Sequence, residues 1–94
     1  MRDFHKNCQK AMRAAILSYP KVKIIAKNNC EHDFSLVVAR EVEHALFNYI
    51  LDNNLQDDKE ITAWMNRVCS YDEVELNKYV KAICAEVYKE LNNE

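Results

Sequence analysis

The chain has 94 residues, 49% of them apolar and 10% aromatic, with a formal net charge of −2; that is one domain's worth, too apolar for a wholly disordered polymer. No window approaches ~18 uninterrupted apolar residues and the first ten residues are polar, so neither a membrane span nor a signal peptide is expected. There is no Gly and a single Pro, Pro20; a β-rich fold of this size recruits Gly for its tight turns, so helices are expected instead.

The first predicted helix covers residues 2–19. Phe4, Cys8, Ala11, Met12, Ala15, Ile16 and Tyr19 recur at steps of four and three, and the stripe ends before Pro20. The stretch PKVKIIAKNNCEHD has two adjacent Asn and no helical stripe, and Val22, Ile24 and Ile25 would anchor a loop or a short turn of helix. Asp33 is the expected N-cap of a second helix over 34–53. Its apolar positions, Phe34, Val37, Val38, Val42, Ala45, Leu46, Tyr49 and Ile50, are widened by Phe47 and Leu51, while Arg40, Glu41 and Glu43 place charge in the middle.

NNLQDD closes that helix. Asp57 with Glu60 reads as a capping box for a third helix over 58–69, with Ile61, Trp64, Met65 and Val68 on one face. Ser70 with Glu73 repeats the device ahead of a fourth helix over 72–92, carrying Leu76, Val80, Ile83, Val87 and Leu91. The expected architecture is an all-α, compact three- to four-helix bundle in one domain, 1–94.

Charge is unevenly spread. Residues 1–30 hold seven Lys or Arg against one acid, Asp3, whereas residues 31–94 hold six against fourteen. Such a basic third either complements the acidic remainder or faces a polyanion or acidic protein. The four cysteines form no C-x-x-C pair, and without a secretory signal they are expected as reduced thiols in cytosol or nucleus. His5-x-x-Cys8 and Cys30-x-His32 are the candidate metal ligands, a two-Cys, two-His set, although Cys8 also falls on the apolar stripe. No Gly-rich phosphate loop is possible, and Glu41 and Glu43 sit on different sides of their helix. Nothing points to catalysis, and no cofactor is expected.

The pattern MRDFHKNCQKAMRAAIL, a polar loop and then VVAREVEHALFNYI resembles the central domain of the transcript-cleavage and elongation factor TFIIS. The family's A-x-x-I-E-x-x-I/L-F run is matched by Ala39, Val42, Glu43, Leu46 and Phe47, with Val for Ile. The similarity spans residues 2–50 and, more faintly, 59–83, where Leu76 and Val80 keep an L-x-x-x-V spacing but the R-S-L and N-L-K-D words are missing. The resemblance implies a bundle whose central helix is packed on more than one side, with Glu43 near basic groups. It also implies docking on RNA polymerase II through exposed basic residues, and hence a nuclear location. In the helix matching the family's basic one, Lys59 and Arg67 are the carried-over candidates; Lys21, Lys23 and Lys27 form a basic cluster independent of the family. Contact of the basic third with nucleic acid is a further expectation.

The rival is a helical adaptor or homodimerisation module outside transcription. Its last helix would pair with a copy of itself through Leu76, Val80, Ile83, Val87 and Leu91. If that face instead closes the domain's own core, a monomer is expected.

Overall fold

A computed structural model describes residues 2–70 and 72–93, so Met1, Tyr71 and Glu94 of the expected 1–94 domain lie outside the described residues. Among the described residues, five α-helices follow one another: α1 (Arg2–Leu17), α2 (Val22–Asn28), α3 (Glu31–Asp52), α4 (Lys59–Val68) and α5 (Val74–Asn92), with a 3₁₀ turn at Leu55–Asp57. Among the described residues there is no strand.

Three long helices make the body. The His5–Tyr79 and Arg13–Glu90 contacts show that α1 and α5 run parallel. Phe4 meets Tyr49 and Phe34 meets Tyr88, so α3 runs antiparallel to both. The core is continuous through them: Phe4, Cys8, Met12 and Ile16 from α1, Phe34, Val38, Val42 and Leu46 from α3, and Leu76, Val80, Ile83, Val87 and Leu91 from α5. Complete burial of a side chain such as Phe34 or Leu46 contributes about 1.5–3 kcal/mol each. The short helices close the two ends of a body measuring 41 × 26 × 20 Å. Helix α2 packs on α5 and on α3, where Asn92 donates to the Ala26 carbonyl and Tyr88 to that of Asn29. Helix α4 packs at the other end, where Arg67 approaches Glu75 at the start of α5.

Several helix boundaries differ from those the sequence suggests, each for a local reason. Of the loop and the short helix expected for PKVKIIAKNN, the structure has the helix: after the turn at Pro20 and Lys21, Val22 and Ala26, one turn apart, are buried and pin α2. Helix α3 starts at Glu31, with Cys30 at its N-cap offering no side-chain hydrogen bond, so Asp33 belongs to the first turn rather than the cap. The cap of α4 is Asp58, not Asp57: its Oδ1 accepts from the backbone N–H groups of Glu60 (2.9 Å) and Ile61 (3.0 Å). Ser70 caps nothing through its side chain. Glu73 takes the N-cap of α5 in the left-handed region, φ 52°, and the Val74 N–H reaches Asp72 Oδ1 at 3.4 Å.

The broad apolar girth of α3 also has a different origin from the one expected. The helix is central, touching α1, α2, α5 and the 3₁₀ turn, and of its charged middle Arg40 and Glu41 are exposed on the outer side while Glu43 is half-buried toward α5. Leu36, Val37, Arg40, Glu41, His44, Asn48 and Leu51 are exposed along that side, with Leu36 at 60% and Leu51 at 58%. The surplus apolar residues therefore face solvent rather than a further packed partner.

Candidate functional site

The five basic residues expected to meet a partner fall into two groups at opposite ends of the bundle. Lys21, Lys23 and Lys27 are exposed on or beside α2, a segment that contains no acid. Pro20 stops α1, and the chain turns back through Val22 N–H, which donates to the Tyr19 carbonyl. This turn puts Lys21 in the left-handed region, φ 59°. A non-Gly residue there costs about 1–2 kcal/mol. Lys59 and Arg67 stand on α4, beyond the far end of α5. Arg67 Nε lies 3.4 Å from Glu75 Oε2, and both side chains are more than half exposed, so the pair contributes little to stability. The structure thus brings together the α2 lysines and separates them from the α4 pair.

The four candidate metal ligands are likewise divided. The His5 ring is held in an aromatic cluster, its centroid 4.9 Å from Trp64 and 5.6 Å from Tyr79, and its Nδ1 3.0 Å from the Tyr79 hydroxyl. Burial, then the positive amino terminus and Arg67, hold its pKa below the usual histidine value. Cys8 is fully buried, and burial pushes its thiol up to about 12, which disfavours the thiolate a metal requires. Cys30 and His32 are exposed where α2 meets α3. The neighbours of the two pairs on α5, Tyr79 and Tyr88, are roughly 13 Å apart along the helix. Among the described residues, no three His, Cys, Asp or Glu side chains gather closely enough to hold a metal ion.

Two features carry no residue-type motif and escaped sequence reasoning. The first is the aromatic cluster that seats α4: Phe4 and Trp64 meet edge to face at 5.3 Å, and Trp64 meets Tyr79 at 5.0 Å. The second is an apolar groove between the C-terminal half of α3, the 3₁₀ turn and α4, lined chiefly by Phe47, Ile50, Leu51, Ile61 and Met65. Only Phe47 and Leu51, which widen the stripe of α3 beyond what one buried face needs, hinted at it. The face of α5 through Leu76, Val80, Ile83, Val87 and Leu91 is entirely buried in the chain's own core and leaves no surface there for a second copy.

Among the described residues, no helix is long and apolar enough to cross a membrane. Compared with known protein families, curated proteins and solved structures, the chain matches none.

Proposed function

We infer that this is a non-catalytic protein-binding domain, similar to the TFIIS central domain, that docks on RNA polymerase II in transcription elongation. The observation that carries the inference is α2: Lys23 and Lys27 on one short helix and Lys21 at its N-cap, with no acid, at one end of the bundle and around the exposed Ile24. Such a surface suits an acidic protein partner, the lysines supplying attraction and register. The Ala39, Val42, Glu43, Leu46, Phe47 run is compatible with the resemblance, since Val42 and Leu46 are buried and the other three half-buried. Lys59 and Arg67, at the opposite end, belong to a separate surface, so docking is assigned to α2. A nuclear location goes with this inference.

The test is a pull-down from nuclear extract probed for RNA polymerase II. Wild type retains the polymerase, the K21E/K23E/K27E variant loses it, and the K59E/R67E variant retains it. Failure of the wild-type chain to retain polymerase removes the transcription function and leaves an adaptor unrelated to it. Such an adaptor would have to use a surface other than the buried face of α5.

A further inference from the structure

The aliphatic hydroxyl side chains of the sequence are Ser18, Ser35, Thr62 and Ser70, and only Ser70 is closely followed by acids. Asp72, Glu73 and Glu75 stand two, three and five residues after it, whereas the five residues that follow each of the others contain none. The structure separates them further. Ser35 is buried, its Oγ donating to the His32 carbonyl, and the Thr62 hydroxyl donates to the Gln56 carbonyl. Ser18 is exposed, but the residues after it include Lys21 and Lys23.

Ser70 and Glu73 spell the capping box S-x-x-E, in which both side chains bind backbone N–H groups at a helix start. The fold makes no such use of them. Glu73 gives α5 no side-chain cap hydrogen bond and sits in the left-handed region, and the Ser70 hydroxyl bonds to no other described residue. The connector between α4 and α5 is held instead by the Glu73 N–H on the Ser70 carbonyl at 2.8 Å and the Val74 N–H on Asp72 Oδ1 at 3.4 Å. Every described residue from Cys69 to Glu75 is exposed. A surface turn held so lightly, with one strained corner, opens at low cost, and its hydroxyl and its acids can enter another protein's cleft together.

We propose that Ser70 is a phosphorylation site, modified by a Ser/Thr protein kinase whose substrate cleft is lined with cations that receive Asp72, Glu73 and Glu75. Charge patterning of this kind lets such enzymes discriminate among exposed hydroxyls. Ser70 Oγ attacks the γ-phosphorus of ATP. The new O–P bond forms as the bond to the β,γ-bridging oxygen breaks, ADP leaves with that electron pair, and the hydroxyl proton passes to the kinase's base. The phosphate adds about −1.5 to −2 charges at pH 7. They fall at the α4 end, where Arg67, already 3.4 Å from Glu75, is the one base between residues 67 and 75. The α2 lysines lie at the opposite end, so the modification leaves the proposed docking face untouched and does not rest on it.

The test is phosphorylation of the folded, purified chain with Mg-ATP and a kinase that requires acids after its serine, beside a kinase that requires bases. Mass spectrometry of the digested protein locates the phosphate. The acid-directed enzyme should place one phosphate per chain, on Ser70, and the base-directed enzyme should leave Ser70 unmodified. S70A should accept none, and S70T, which keeps the hydroxyl, should accept it at the same position. D72N/E73Q should be modified about tenfold or more slowly, because two attractive charges are lost. Circular dichroism checks that each variant is folded. A wild-type chain that takes no phosphate, a phosphate placed elsewhere, or an undiminished rate for D72N/E73Q overturns the proposal. All components are purified, so the outcome is independent of polymerase retention in the pull-down.

Discussion

The Nδ1 atom of His5 sits 3.0 Å from the Tyr79 hydroxyl, joining the first turns of α1 to α5, and the same imidazole packs edge-on against Trp64 of α4. Three helices thus meet at one titratable ring. Charged and titratable groups near it include the amino terminus, Asp3 and Lys6 on α1, Glu60 and Arg67 on α4, and Tyr79 on α5. Burial is the largest cause of its lowered pKa, followed by the amino terminus and Arg67. Because the folded pKa lies below the unfolded one, the unfolded chain binds the proton more readily. Stability from this site is therefore full above about pH 6.5 and declines as pH falls through the window down to the lowered value. Urea unfolding of wild type and H5Q at pH 7.5 and pH 5 checks this, and the gap between the two proteins should narrow or reverse on acidification. A gap that does not change with pH would remove the effect.

The two sides of α3 make contrasting predictions. Leu46 is completely buried, and Leu46→Ala should cost about 2–5 kcal/mol through lost transfer energy and a residual cavity. Leu51, on the exposed side, should tolerate Leu51→Ala to within about 0.5 kcal/mol. Chemical denaturation of both variants measures the contrast. A loss at Leu51 equal to that at Leu46 would mean α3 is packed on both sides.

Thiol reactivity should divide the four cysteines into pairs. Cys30 and Cys69 are exposed, while Cys8 and Cys84 are buried with thiols pushed up by burial to about 12 and about 11. Titration with an aromatic disulfide reagent at neutral pH should modify Cys30 and Cys69 first, and the other two only on unfolding. Burial, then Glu73 and Glu43, raise the Cys69 thiol, so its rate should keep climbing above pH 8 as thiolate forms.

Among the described residues, three adopt positive φ without being Gly: Lys21 at 59°, Asn54 at 56° and Glu73 at 52°. Each immediately precedes a helix or the 3₁₀ turn. Replacing Glu73 by Gly should stabilise the protein by about 0.5–1 kcal/mol, as relief of the left-handed penalty outweighs the added freedom of the unfolded chain. Thermal unfolding of E73G checks it, and a lower Tm would show that the Glu73 side chain has a stabilising contact of its own.

These left-handed corners show where the sequence was legible and where it was not. Absence of Gly pointed correctly to helices, and the stripe from Phe4 to Ile16 and the series from Leu76 to Leu91 both ended in the core. Absence of Gly did not mean absence of left-handed turns, because Lys21, Asn54 and Glu73 make them at a local cost that packing offsets. Val22 and Ala26 alone carry the helical signal of α2, too few for a visible period beside Ile24 and Ile25. Two adjacent aspartates before α4 look alike as caps, and only the backbone decides in favour of Asp58. The basic cluster on α2 was readable from composition. The groove was not, since it joins Phe47 and Leu51 to Ile61 and Met65 across a reversal of the chain.

The position of α5 bears on how the protein comes into being. It lies beside α1 and α3 and supplies Leu76, Val80, Ile83, Cys84, Val87 and Leu91 to the interior. Without α5, the apolar faces of α1 and α3 that those six side chains cover would be open to water, so the interior is closed only once α5 has docked.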